Sequence, residues 1–205
     1  MIKAVIFDLD LVLINALKEI FSLNDYMSKH FKIKLPKKKR LLYTLDTEAI
    51  RKRFYSKINK KEFYDYYKNR DFKDYLSSIK VHKNAREILK YLKNNKYKIA
   101  LVTNRGHSTQ LILNYFKIAK YFDSVLTVYD IKKPKPNPQP IIKTMKTLKV
   151  KKSEVLYVGD DIIDVRAGKG AGVSVVLYTN KFKGADYYIK DLIQIKNILE
   201  VENAR

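Results

Sequence analysis

The chain's apolar residues fall into two rhythms. Some form short unbroken runs, and others recur at the three-to-four-residue spacing of a helix face. Residues 2–7 alternate poorly and read as a buried strand. From about Ala16 to Ser78 the text is helical, with Leu17, Ile20 and Phe21 on one face and Ile50, Phe54 and Ile58 on another. After Ile79 the two rhythms alternate. A helix carries Ala85, Ile88, Leu89 and Leu92, and "KIALVTN" reads as a strand. A helix with Ile112, Tyr115 and Phe116 precedes the strand "SVLTVY", and "KKPKPNPQP" is a proline-punctuated loop. A helix with Ile141, Met145 and Leu148 leads to the strand "EVLYVGDD", the helix "IIDVRAGKGAG" with its glycine stop, and the strand "VSVVLYT". "ADYYI" and a helix through Leu192, Ile195 and Leu199 follow.

Strands alternating with helices predict an α/β fold: a Rossmann-like parallel sheet with helices on both faces. The all-helical stretch after the first strand is then an insertion. The expected division is a core of residues 1–14 and 80–205 and a helical domain of residues 15–79. The insertion is crowded with aromatics, as in "KKEFYDYYKNRDFKDYL". A Tyr/Phe stripe at helical spacing is expected to form that domain's own core.

Composition narrows the chemistry. The 205 residues are 46% hydrophobic, enough for one sizeable core and a smaller inserted domain. The absence of cysteine excludes disulfides, thiolate zinc sites and a cysteine nucleophile, and suits an intracellular setting. No apolar stretch is long enough to span a bilayer, and "MIKAVIFDLD" reads as a strand ending in acids, not as a signal peptide. A cytoplasmic location is expected. Forty-three Lys+Arg against 21 Asp+Glu give a net charge of +22. Such an excess attracts phosphate-rich partners, although a biased genome composition produces the same excess. The densest basic stretch, "KHFKIKLPKKKR" from Lys29 to Arg40, interleaves Phe31, Ile33 and Leu35 with lysines. It reads as a solvated loop or as a surface that binds nucleic acid or membrane.

Against that positive background, acids collect at strand ends. Asp8 and Asp10 follow the first run, and Gly159-Asp160-Asp161 end a later one, with Asp164 one turn on. Asp8, Asp10 or Asp160 alone reads equally well as a helix cap. In a parallel sheet, however, ligands sit beyond the carboxyl ends of the strands. The same edge receives Thr103-Asn104-Arg105-Gly106 and the loop carrying Lys133 and Lys135. Converging carboxylates with no cysteine or histidine cluster call for a hard, oxygen-liganded cation, most simply Mg2+. A hydroxyl, a lysine and backbone amides then complete a phosphoryl-sized pocket. His30, His82 and His107 are scattered, and His107, near a helix start, is read as structural.

These segments together resemble the haloacid dehalogenase superfamily, mostly phosphatases. "DLDLVL" is similar to its first motif, "LVTN" to its second, "KKPKPNP" to its third and "VGDDIIDVRAG" to its fourth, in the family's order and spacing. The helical insertion sits where the type I subclass carries a cap. The resemblance implies that Asp8 is the nucleophile and that Asp10 is the acid and base. It implies that Thr103 and the amide of Asn104 hold phosphoryl oxygens and that Lys133 pairs with Asp8 and the phosphate. Asp8, the carbonyl of Asp10 and Asp160 would ligate Mg2+, with Asp164 and Asp161 in support. Leu11 departs from the family's usual small or polar residue and Asn137 from a common Asp; the cap, where substrate choice resides, matches nothing closely.

The expected function is a Mg2+-dependent phosphatase for a small phosphorylated metabolite, similar to the phosphoglycolate phosphatase and phosphoglucomutase branch, as a monomer or homodimer. A phosphomutase is the alternative within the family. A nucleic-acid-binding module or polynucleotide-end phosphatase is the alternative outside it. A pure binding module has no use for the complete catalytic set.

Overall fold

The computed structural model describes residues 1–35, 42, 45, 47–68, 76–179 and 181–204. It contains two compact units, one of Met1–Ile14 and Val81–Arg205 and the other of Asn15–Lys80. In the first unit six parallel strands lie in the order β5-β4-β1-β6-β7-β8. They are β1 (Ala4–Phe7), β4 (Lys98–Val102), β5 (Ser124–Leu126), β6 (Val155–Gly159), β7 (Ser174–Leu177) and β8 (Tyr187–Tyr188). β2 (Ile14–Asn15) and β3 (Lys80–Val81) form a separate two-stranded sheet where the chain leaves and re-enters the core.

The central strands are apolar throughout because both faces are covered. Ala4, Ile6, Ala100, Val102, Tyr157 and Val175 pack with Ile141, Met145 and Leu148 of α6 (Gln139–Leu148) and with Val165, Ala167 and Ala171 of α7 (Ile162–Ala171). Val5, Phe7, Ile99 and Leu101 alternate with these, so they point to the opposite face, and they are equally buried. There α4 (Ala85–Asn94) packs on β4 and buries Ile88, Leu89 and Leu92, and α5 (Ser108–Tyr115) follows β4. Pro140 in the first turn of α6 and left-handed Gly172 (φ 73°) after α7 mark a helix start and stop legible in the sequence.

Strand β5 is shorter than its apolar text. Thr127 Oγ1 accepts the Tyr129 amide, and the Asp130 carboxylate accepts the Thr127 amide, turning Val128–Asp130 into a 3-10 turn. A local side-chain cap has overridden strand propensity.

The inserted unit carries α1 (Leu17–His30), α2 (Thr47–Phe54) and α3 (Lys60–Lys68). Met27, Tyr55, Phe63 and Tyr67 form its buried centre, edged by Phe31, Ile33, Leu35 and Tyr66. The aromatic stripe is therefore packing. Tyr26 and Tyr66 stack at 4.7 Å between centroids. The interleaving in "KHFKIKL" has the same origin, since Phe31, Ile33 and Leu35 turn towards this cluster while Lys29, Lys32 and Lys34 are exposed. Lys37, Lys38, Lys39 and Arg40 lie outside the described residues. Among those described, no helix is long and apolar enough to cross a membrane.

Candidate active site

The chain adds β4 and β5 on one side of β1 and then returns to add β6, β7 and β8 on the other. The carboxyl ends of β4, β1 and β6 therefore meet where strand order reverses, the usual place for a ligand in such a sheet. Phe7 is in register with Leu101 and with Val158, which brings Asp8, Val102 and Gly159 level. Asp8, Thr103 and Asp160 follow directly. After Asp8 the chain turns sharply, with the amides of Leu13 and Ile14 bonded to the Leu9 carbonyl, and Leu11 is held at φ 62°. A leucine is strained in that left-handed conformation, which explains why a small or polar residue suits the position.

Asp164 is the hub of the site and is wholly buried. Its Oδ1 accepts Lys135 Nζ at 2.8 Å and the Tyr157 hydroxyl at 2.7 Å. Its Oδ2 accepts the amides of Asp160 and Asp161 at 3.2 and 3.1 Å, fixing the turn that presents both acids. Asp161 caps α7 through the Ile163 amide. Gly159 is required here, because a Cβ would lie 2.3 Å from Asp164 Cβ. Lys135 also reaches Asp8, with Nζ 2.8 Å from Oδ1, and Tyr157, at 3.1 Å from its hydroxyl. Its loop is clamped by Asn104, whose side chain donates to the Lys135 carbonyl and accepts the Lys135 amide. The Lys135–Pro136 peptide is cis. Thr103 is buried, with Oγ1 accepting the Arg105 amide at 3.1 Å.

Burial dominates the electrostatics. It raises the Asp8 carboxyl to about 7; Lys135 opposes the shift, and Asp164 and Asp10 add to it. Asp160 is likewise pushed well above the usual carboxylate range by burial, then by Asp164 and Asp8. Burial works against the Lys135 charge, but Asp164 and Asp8 outweigh it and raise its pKa. One ammonium thus faces three acids. Oxygen atoms of Asp8, Asp160 and Asp164 all lie within 4.8 Å of one another. Buried Asp8 Oδ1 has the Lys135 charge beside it yet no hydrogen bond of good geometry. Uncompensated charge, an all-oxygen donor set and an incompletely satisfied carboxylate fit a divalent cation, which this cluster can hold.

A model of haloacid dehalogenase-like hydrolases matches residues 5–178, spanning the inserted unit and every strand from β1 to β7. The chain belongs to this family. Pyrophosphatase PpaX of Halalkalibacterium halodurans is 33% identical over 110 residues, 53% of this chain and 51% of that protein. The chain thus spans about half the length of the curated relatives it matches. Among solved structures, a HAD-superfamily hydrolase of subfamily IA from Geobacter sulfurreducens has a TM-score of 0.81 at 23% identity, covering 97% of this chain and 100% of that one. A β-phosphoglucomutase from Clostridium difficile has a TM-score of 0.83 at 21% identity, covering 100% and 98%. These likenesses place the fold, including the inserted cap.

Within this haloacid dehalogenase-like core the expected residues divide unevenly. Asp8, Asp160 and Asp164 come together, and Asp161 caps the helix beside them. Lys133 does not join them. It is exposed, and its amide bonds Gln139, whereas buried Lys135 meets Asp8. "KPKPNP" contains Lys-Pro-x-Pro in two registers, and the clamp from Asn104 selects the second. The Asn104 side chain is therefore spent on positioning that loop. The Asp10 side chain adds no carboxylate to the cluster, because Arg105 grips it at 2.8 and 2.9 Å. The roles of Arg105 and Tyr157 were not expected. Their signals were a cation directly after Thr-Asn at a strand end, and a hydroxyl in the otherwise apolar "VLYVG". His107 packs against Tyr129 at 4.3 Å between centroids.

Proposed function

We propose that this chain is a Mg2+-dependent phosphatase that releases phosphate from a small phosphorylated metabolite by way of an aspartyl-phosphate on Asp8. The observation that carries the reading is buried Asp8 itself, facing Lys135 at 2.8 Å and clustered with Asp160 and Asp164. In the first step an Asp8 oxygen attacks phosphorus, the bond to the leaving oxygen breaks, and Asp10 supplies that oxygen's proton. In the second step water attacks the phosphoryl group, Asp10 takes the water's proton, and the bond to Asp8 breaks. The Thr103 hydroxyl and the Asn104 amide hold phosphoryl oxygens. Lys135, in the role first expected of Lys133, steadies Asp8 and balances the phosphoryl charge. Asp8, Asp160 and the Asp10 carbonyl would hold Mg2+, with Asp164 and Asp161 supporting. Bound there, Mg2+ offsets the acids' repulsion and adds positive charge against the phosphoryl oxygens.

The pyrophosphatase relatives suggest that the substrate is compact and highly anionic. The near-complete burial of Asp8, Thr103 and Lys135 agrees, since a recessed phosphoryl site suits a small molecule. The test is a hydrolysis screen over an aryl phosphate, pyrophosphate, phosphoglycolate, sugar phosphates and an end-phosphorylated oligonucleotide, in Mg2+ and in EDTA. Phosphate release should require Mg2+ and vanish in Asp8→Asn. Turnover that survives either change would refute the mechanism. A preference for the oligonucleotide would refute the small-metabolite reading.

A further inference from the structure

Tyr157 is a tyrosine where packing asks only for a phenylalanine. It lies in the middle of β6, in register with Ile6 of β1 and Val175 of β7, and joins the apolar layer covered by α6 and α7. Its side chain is wholly buried. Helix α7 approaches closely at Gly168, where a Cβ would lie 2.5 Å from Val175 Cγ2 and 3.4 Å from Tyr157 Cδ1. The ring is therefore pinned, and its hydroxyl is a fixed point. A hydroxyl in such a layer is costly unless bonded, and this one is bonded twice. It donates to Asp164 Oδ1 at 2.7 Å and accepts from Lys135 Nζ at 3.1 Å. An ammonium only donates and an ionised carboxylate only accepts, so the hydroxyl's two roles are fixed. Lys135 Nζ also lies 2.8 Å from Asp164 Oδ1, and the three groups close a triangle. Asp164 is rigid in its turn, with Oδ2 tied to the amides of Asp160 and Asp161.

We propose that Tyr157 is a positioning residue for phosphoryl transfer: its hydroxyl shares the Lys135 ammonium with Asp164, so that the charge stays aimed at Asp8 and the phosphoryl group instead of closing on Asp164 alone. The proposal rests on the role of Lys135 given above, and Tyr157 itself touches no substrate. The two oxygens it places at Nζ are only 2.7 Å apart and take neighbouring directions, whereas the three N–H groups of an ammonium spread tetrahedrally. Donors thus remain for Asp8 Oδ1, 2.8 Å away, and for a phosphoryl oxygen. By donating to Asp164 Oδ1 the hydroxyl occupies a lone pair and weakens that acid's pull, and by accepting it steadies Nζ. Without it, a flexible four-carbon stem would carry its charge between two buried acids at equal distances, with nothing to set its aim. Removing the hydroxyl therefore leaves the charge in place and changes only where it points. The loss falls on the charge that develops during transfer, and not on the phosphate as first bound.

The test is Tyr157→Phe, which keeps the ring and removes one oxygen. It is assayed with an aryl phosphate at saturating Mg2+, alone and combined with Lys135→Met. In the native background kcat should fall about 10- to 100-fold, as expected on losing a buried hydrogen bond to a charged group, with KM within about threefold. In the Lys135→Met background the same substitution should change kcat by less than about twofold, because no ammonium is left to aim. An equal fall in both backgrounds overturns the proposal, since a merely structural role lowers both alike. An unchanged kcat in Tyr157→Phe, or a loss confined to KM, also overturns it, and neither result needs the double variant should Lys135→Met fold poorly. Calorimetric binding gives a readout without turnover. Orthovanadate, which takes up the five-coordinate shape of a transferring phosphoryl group, should bind Tyr157→Phe about 10- to 100-fold more weakly, and inorganic phosphate within about threefold of native. Equal weakening of both ligands again means a structural role and overturns the aim. Asp8→Asn is measured alongside: hydrolysis that persists there sinks the phosphatase reading, whereas its loss together with an unchanged kcat in Tyr157→Phe sinks the positioning role alone.

Discussion

Replacing Lys135 by methionine is the perturbation that separates the geometry from the sequence motif. Methionine keeps the length of the side chain and removes only its charge. Lys135 Nζ lies 2.8 Å from both Asp8 Oδ1 and Asp164 Oδ1, and its side chain is 1% exposed. At that separation and an effective dielectric of about 20, each contact contributes roughly 6 kcal/mol before desolvation is subtracted. Breaking a buried pair and stranding its acid typically leaves a net cost of about 3–5 kcal/mol. An independent bound comes from protonation. An acid stranded by the substitution can neutralise itself, and carrying a proton at about pH 7.5 with an intrinsic pKa of 3.8 costs about 5 kcal/mol. Both routes agree, so Lys135→Met should lose about 3–5 kcal/mol in urea denaturation in EDTA. That corresponds to a melting temperature lower by roughly 10 °C or more for a chain of this size.

Mg2+ should recover part of that loss, because the acids it binds are then more negative. Aryl phosphatase activity should fall about 100-fold or more even when the protein is saturated with Mg2+, as expected on removing a charge contact to a transferring phosphoryl group. Lys133→Met is the control. Lys133 is exposed and engages Gln139 through its backbone amide, which methionine retains, so stability should stay within about 0.5 kcal/mol. Loss of activity in Lys133→Met with a fully active Lys135→Met would refute the reasoning.

Two further outcomes follow from strain and from titration. Leu11 at φ 62° pays for a left-handed turn, so Leu11→Asn should raise the urea midpoint by the equivalent of about 1 kcal/mol, and a lower midpoint would show that its apolar contacts outweigh the strain. Burial raises folded Asp8 from 3.8 to about 7, so folding takes up a proton; its contribution is full below about pH 4 and is lost as pH rises towards and through 7. In EDTA the stability of the native protein relative to Asp8→Asn should therefore fall between pH 4 and 7, and Mg2+, which competes with that proton, should flatten the fall; parallel pH profiles without metal would refute the burial argument.

The architecture and the acids were legible in the sequence because each depends on local text. A strand covered on both faces must be apolar along its length, and a carboxylate at its end is conspicuous in so basic a chain. The alternation of strands and helices makes the sheet parallel, but the order of its strands appears only in the fold. The lysine was harder to read, because "KPKPNP" offers two equivalent registers and the clamp that selects one, Asn104, lies 31 residues away. The same holds for Arg105 and Asp10, which are 95 residues apart and meet only once β1 and β4 pair. Tyr157 reads as one more aromatic in a buried strand until the fold brings Asp164 under its hydroxyl. What local patterning cannot show is which polar groups will be used up by one another.

That pairing explains how a chain of net charge +22 keeps an acidic site. Lysines scattered over the surface raise the concentration of anions around the whole molecule, which would speed the encounter with the phosphorylated substrate proposed above. They do nothing for the acids beneath, since exposed charges are screened within about 10 Å at ordinary salt. Inside, Arg105 is committed to Asp10, and Lys135 is shared by Asp8 and Asp164. A phosphate dianion arriving at Asp8, Asp160 and Asp164 with only that ammonium present would meet repulsion as well as attraction. On the proposed reading, Asp8, Asp160 and Asp164 would hold a divalent cation, whose charge would offset that repulsion. On that reading the acids would make a bound cation a condition of holding a phosphorylated substrate, while the scattered surface lysines would bear on the encounter alone.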